Sequence, residues 1–294
     1  MDRLSVFPRT SGPPEGASGG VLLGAAANDP SPHERVARIV RTIEADIIPR
    51  LMRLHRDPSS SEPRLVAPAE AGAPSQEDLR RFVQLVLLDH DGPLHDAVRR
   101  LRERGVSIEG LYLQLLAPAA RELGRMWEDD ECLFSDVTVA VGRLQRVMRS
   151  LSPEFARDLD VPHDGRRILL AVAPGEQHTF GLAMVAEFFR RGGWDVIGGY
   201  HDPSFDAAAC LQREWVDVLG VTCGAEGRLE PLKSWIAEMR RSSCNQALGV
   251  LVGGSVFAHA GERFRDVGAD GTAADALQAL GAAQRLLDTR VRRL

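Results

Sequence analysis

Ile168-Leu169-Leu170-Ala171-Val172-Ala173 is an apolar run, and Pro174-Gly175-Glu176-Gln177-His178-Thr179-Phe180-Gly181 follows it directly. The run reads as a buried strand. Leu182 to Arg191 then carries the spacing of an amphipathic helix. In an open α/β sheet, ligands bind at the carboxyl ends of the strands. An imidazole at the end of a first strand therefore stands where such a sheet would use it. What lies downstream reads as the pocket for whatever His178 touches, and much of what lies upstream reads as its lid.

Downstream the pattern repeats. Strand-like runs fall at 168–173, 195–200, 216–222, 248–252 and 270–273, and helix-like runs at 179–191, 205–214, 228–241, 256–266 and 275–290. Consecutive βα units imply a parallel sheet covered by helices on both faces. With right-handed crossovers, a flavodoxin-like, doubly wound, five-stranded parallel sheet is expected over 165–294. Upstream, helical spacing covers 76–88, 93–104, 107–128 and 134–150, with Gly92-Pro93 and Gly105 as breaks. Ser75 is placed to cap the first of these helices, with Asp78 in its first turn. Short connections predict an antiparallel four-helix bundle over 76–158. The fold class is thus α + α/β. Pro58, Pro63, Pro68 and Pro74 give 57–75 the composition of a linker. Residues 32–56 predict one helix, capped by Ser31 and kinked at Pro49. Residues 1–31 have the composition of a disordered segment.

The bulk properties are those of a soluble globular chain: 294 residues, 44% hydrophobic and 26% charged, with a net charge of −5. That charge argues against a nucleic-acid surface spread over the whole protein. Cys132, Cys210, Cys223 and Cys244 form no CxxC pair or zinc spacing and read as reduced thiols in a cytoplasmic protein. No run approaches a membrane span, and no signal peptide is visible.

In the expected fold, function falls to the loops after strands 1, 3 and 4. These carry Pro174–Gly181, Thr222-Cys223-Gly224 and Gly253-Gly254-Ser255. Small residues there let a ligand approach the backbone. The combination describes a narrow slot with one imidazole at its mouth. No G-x-G-x-x-G follows the first strand, no Walker A loop is present, and Thr222 and Cys223 stand where a phospho-receiver would carry aspartate. Taken singly, His178 reads equally as a surface histidine and Gly253-Gly254 as a plain tight turn. Their joint spacing favours a site.

That spacing resembles the cobalamin-binding domain family, which carries D-x-H-x-x-G, a Ser/Thr loop and a Gly-Gly pair. Here Glu176-x-His178-x-x-Gly181 is followed after 40 residues by Thr222, and Thr222 after 30 residues by Gly253-Gly254. Gly268-Ala269-Asp270-Gly271 also resembles the family. The resemblance implies a cobalamin whose benzimidazole tail is buried in a slot lined by Thr222, Gly224, Gly253, Gly254 and Ser255. Thr179 and Gly181 would complete the first loop. His178 would be the lower cobalt ligand, with Glu176 taking its other N–H. Glutamate stands here for the family's aspartate and is one methylene longer. Leu123-Gly124-Arg125-Met126-Trp127 is similar to the cap motif whose tryptophan covers the corrin, although Trp127 also reads as a bundle-core aromatic. Val137 and Thr138 occupy the positions at which light-sensing relatives carry Glu-His.

The overall arrangement resembles the AerR/PpaA-type antirepressors of photosynthetic bacteria. The resemblance implies hydroxo- or alkylcobalamin as cofactor, with haem as the alternative, and a DNA-binding transcriptional repressor as protein partner. Residues 1–75 cannot hold a catalytic barrel of about 250 residues, so no enzyme activity is expected. A methyl-carrier corrinoid protein, built from a similar bundle and domain, is the alternative. Arg35, Arg38, Arg41, Arg50, Arg53 and Arg56 flank a single helix, short of a helix-turn-helix unit. Direct DNA contact is therefore secondary, and no membrane contact is expected.

Overall fold

Five strands build the sheet, β1 Arg167–Val172, β2 Asp195–Gly198, β3 Val218–Thr222, β4 Gly249–Gly253 and β5 Gly271–Thr272, and β2 to β5 end in glycine or threonine. All pair parallel in the order β2-β1-β3-β4-β5, the flavodoxin-like winding. The computed structural model describes residues 73–88, 91–157, 165–198, 202, 205–258 and 262–291. The readings of 1–31 and 32–56, and most of that of 57–75, lie outside the described residues.

Four elements precede the sheet: α1 Gln76–Leu87, α2 Asp91–Glu103, a helix built from α3 Ile108–Leu111 and α4 Ala117–Glu128, and α5 Phe134–Arg157. Between α3 and α4 the chain widens into a π turn, Tyr112–Leu116, closed by Ala117 N–H to the Tyr112 carbonyl. Pro118 sits just inside α4, and a proline offers no N–H while its ring crowds the carbonyl four residues back. The wider turn accommodates both. Periodicity alone placed one uninterrupted helix there. Helix α5 runs through Pro153, past the expected end at 150.

Ser75 and Asp78 form a capping box at the start of α1, as expected. Arg104 holds the same aspartate with two bonds, Nη1 to Oδ1 at 3.0 Å and Nη2 to Oδ2 at 2.7 Å. The Arg104 bonds, aided by Ser75 and opposed by burial, hold the Asp78 carboxyl well below the usual carboxylate range. A depressed carboxylate stabilises the fold above its unfolded pKa, about 3.9, and that contribution is lost as pH falls below it. Asp78→Asn is therefore expected to lower stability at pH 7 and to flatten the decline as pH falls below about 4. Denaturant titrations across that range check it.

Helices α6 Phe180–Arg191, α7 Ala207–Arg213, α8 Leu229–Ser242 and α10 Ala276–Val291 cover the sheet. The expected helix at 256–266 is instead α9 Ser255–Ala258 and a separate 3-10 turn, Arg263–Arg265.

Strand alternation separates two cores. Leu169, Ala171, Leu219, Val221, Val250 and Val252 face α7 and α8. Ile168, Leu170, Val218 and Leu251 face α6 and α10, and their core continues without a break into the bundle. At the joint, Phe155 of α5 lies 4.7 Å from Tyr112 and 5.0 Å from Phe188 of α6, centroid to centroid. Arg191 covers the Phe155 ring at 4.4 Å and bonds Glu109 at 2.7 Å. Ser152 donates to Glu187 at 2.5 Å. Helix α6 is thus gripped by the bundle at its C-terminal half, through Glu187, Phe188 and Arg191.

Candidate functional site

The β1 loop turns at Gly175 and brings Glu176 under the neighbouring loop. The Glu176 side chain is 1% exposed and that of His178 is 79% exposed. Glu176 Oε1 lies 2.6 Å from His178 Nδ1 and accepts the N–H of Gln177 and of His178 at 2.8 and 3.1 Å. Oε2 accepts the Gly224 N–H of the β3 loop at 2.7 Å. The extra methylene of glutamate lets the carboxylate bridge both loops. Burial opposes its ionisation, but the His178 ring and the N–H groups of Gly224, His178 and Gln177 together hold it well below the usual range. A carboxylate on Nδ1 selects the tautomer with a bare Nε2. The bond to Glu176 also raises the His178 pKa, opposed by burial and by Arg228 and aided by Glu128.

Gly224 has a steric reason: a Cβ there would meet Glu176 Oε2 at 3.1 Å and His178 Nδ1 at 3.7 Å. Gly254 has a stronger one. Its φ is +103°, and a Cβ would lie 2.2 Å from the Cys223 carbonyl oxygen. The β4 loop rests directly on the β3 loop, and Ser255 Oγ ties them further by donating to the Gly224 carbonyl at 2.9 Å. Gly254→Ala is expected to cost about 1–3 kcal/mol in backbone strain, before any clash is counted. A loss below about 1 kcal/mol in a denaturant titration would show that the β3 loop yields.

On the α6 and α10 side, the last rung of the sheet is Val172, Thr222 and Gly253, all half-buried and in register. One rung down, Leu170, Gly220 and Leu251 interlock, with Leu170 Cδ2 standing 2.7 Å from where a Gly220 Cβ would be. Thr222 and Gly253 therefore stand half-buried at the carboxyl end of the sheet, on the side covered by these helices. Thr179 is the residue before α6 and makes no side-chain cap there, while Gly181 is exposed.

The expected site residues fall into linked groups. Glu176, His178, Gly224 and Ser255 join in one hydrogen-bonded set. Thr222 and Gly253 pair across β3 and β4, and Gly254 packs on Cys223. Trp127, half-buried at the end of α4, lies 6.0 Å from the Phe134 ring. Glu128, next to it, acts electrostatically on His178, so the end of α4 reaches toward the loop. Phe134 and Leu133 are 44% and 59% exposed. The sequence reading passed over Phe134, Glu128 and Arg228. A run Leu133-Phe134 beside a tryptophan was the available signal for the first; the other two read as ordinary surface charges.

Residues 166–281 match the B12 binding domain family, and this region is a cobalamin-binding domain of that family. The "uncharacterized 20.5 kDa protein in bchF-crtJ intergenic region" of Rhodobacter capsulatus is 29% identical over 169 residues, covering 58% of this chain and 88% of that protein. The Methanosarcina barkeri monomethylamine corrinoid protein superposes with a TM-score of 0.59 at 16% identity, over 72% of this chain and 99% of that one. Together with the helical region that precedes it, this domain gives the chain an arrangement that resembles the AerR/PpaA type.

The residues fit that cofactor. Among the described residues, no cluster of three or more His, Cys, Asp or Glu side chains could hold a metal ion. A single oriented imidazole suits a metal that arrives with its own macrocycle. His178 would present Nε2 to the cobalt, with Glu176 fixing the ring. Thr222, Gly253 and Gly254 would admit the nucleotide tail. No helix among the described residues is long and apolar enough to cross a membrane.

Proposed function

We propose that the protein is a cobalamin-responsive transcriptional regulator, not an enzyme, that acts by binding a DNA-binding repressor of photosynthesis genes. Bound alkylcobalamin supplies a cobalt–carbon bond that light breaks. The chain's part is to sense which group occupies the upper face and to pass that on. The observation that carries this reading is the grip of the bundle on α6. That helix starts two residues after His178, and Phe188, Glu187 and Arg191 anchor it to α5 and α3. A shift at the loop therefore reaches the cap through packed side chains. The locus of the R. capsulatus relative, between bchF and crtJ, supports photosynthesis genes as the target.

A ligand shifts a two-state protein only by its differential affinity for the two states, and about 1–3 kcal/mol is typical of such coupling. The test is a titration of the candidate repressor against apo protein, dark alkylcobalamin protein and illuminated or hydroxocobalamin protein. Affinities that differ by about 5-fold or more between states are expected. Equal affinity in all three states would reduce the protein to a constitutive adaptor. The likeness in fold to a corrinoid protein favours a second reading, a methyl carrier. Transfer of the cobalt's methyl group to an acceptor by a partner methyltransferase would establish it. A Soret spectrum on addition of haemin, with no uptake of cobalamin, would place haem in the site.

A further inference from the structure

Arg228 closes the 3-10 turn Glu226–Arg228 between β3 and α8. Its Nη1 stands 3.1 Å from Glu176 Oε1. That nitrogen is buried and makes no aligned hydrogen bond. It touches Glu176 as a charge. The carboxylate already accepts from Gln177 N, His178 N, His178 Nδ1 and Gly224 N. About four lone-pair sites are all that a carboxylate offers. Arg228 therefore adds no further acceptor demand and instead balances a buried anion. An unpaired buried charge is strongly unfavourable. Glutamate also carries one more rotatable bond than aspartate, and something must hold the longer arm in place.

We infer that Arg228 is a positioning residue: it pins the Glu176 carboxylate beneath the β3 loop, and so keeps His178 in the Nδ1–H tautomer with Nε2 turned outward. Its effect on the cofactor rests on the cobalamin reading; its effect on the imidazole does not. Without the cation, the carboxylate keeps its backbone donors but loses the charge that balances it, and its hold on the His178 ring is weakened. Arg228→Lys keeps the charge on a similar reach and is expected to preserve most of the effect. Arg228→Gln removes the charge while keeping polar bulk.

The test uses the full chain with Arg228→Ala, Arg228→Gln, Arg228→Lys, Glu176→Gln and the Arg228→Ala/Glu176→Gln double variant. Nitrogen-15 long-range correlation spectra of the apo proteins report the His178 tautomer, assigned through its loss in His178→Ala. The parent and Arg228→Lys should show Nδ1–H, and Arg228→Ala a mixture of tautomers. Arg228→Gln carries the test if the alanine variant does not fold. Hydroxocobalamin affinity should fall by about 10-fold in Arg228→Ala, the scale of lost outer partners at metal sites. In the Glu176→Gln background, Arg228→Ala should change it by less than about 2-fold, because the pin has nothing to hold. A parent-like tautomer in both neutral variants, or an equal loss of affinity in both backgrounds, overturns the inference. If the parent takes up no cobalamin, the cofactor reading fails, and the apo spectra still decide the role of Arg228.

Discussion

Phe155→Ala lowers the stability of the protein by about 3–5 kcal/mol, the usual cost of removing a buried aromatic ring. Phe155 is 0% exposed and sits between Tyr112 and Phe188, under the Arg191 guanidinium. Its removal leaves a cavity at the joint between bundle and sheet, where both neighbouring rings are fixed. Tyr112 cannot fill the gap, since its hydroxyl is tied to the Met148 carbonyl at 3.0 Å. The core runs through this joint without a break, so one cooperative transition is expected, with bundle and sheet weakened together. Hydrogen exchange checks it: amides of α1 and of β3 should lose protection by similar amounts. Loss confined to the bundle, with β3 unchanged, would mean that the cap folds separately.

His178→Ala produces the other large effect, and on a different property. The side chain is 79% exposed and its ring bonds only Glu176. The carboxylate keeps three backbone donors after the ring is gone. Stability should therefore fall only modestly, by up to about 1.5 kcal/mol for one lost hydrogen bond to a charged group. Cobalamin binding should change greatly. Loss of the lower ligand is expected to weaken hydroxocobalamin binding by about 100-fold, or roughly 2.7 kcal/mol. The absorption bands of a histidine-ligated cobalamin should disappear with it. An unchanged spectrum and affinity in this variant would remove His178 from the site.

The fold was legible because β1 to β4 are short runs rich in apolar residues near glycine, proline or threonine, and most intervening segments keep helical spacing. The loop sites followed from topology, since a parallel sheet gathers the ends of β1, β3 and β4 on one edge. What sequence could not supply were contacts made only by folding. Arg228 lies in the turn after β3 and reads as a surface cation until the β3 loop is laid over Glu176. Phe155 and Phe188 belong to different predicted units, so no periodicity announces that they share a core. The π turn at Tyr112–Leu116 keeps the apolar spacing of a helix, and only Pro118 hints at the break. Trp127 was singled out by its motif, while its ring neighbour Phe134 lies beyond the end of that motif.

Ligation of cobalt by His178 can be read directly from the nitrogen splitting in the electron paramagnetic resonance spectrum of cob(II)alamin. The protein is labelled with nitrogen-15 histidine alone, and the cobalamin carries natural nitrogen. A histidine on cobalt then splits each line as a doublet, because nitrogen-15 has spin one-half. The expected result is that doublet in the parent protein and its absence in His178→Ala. A triplet in the labelled parent protein would mean that the benzimidazole tail still holds the metal, and would contradict the assignment of His178.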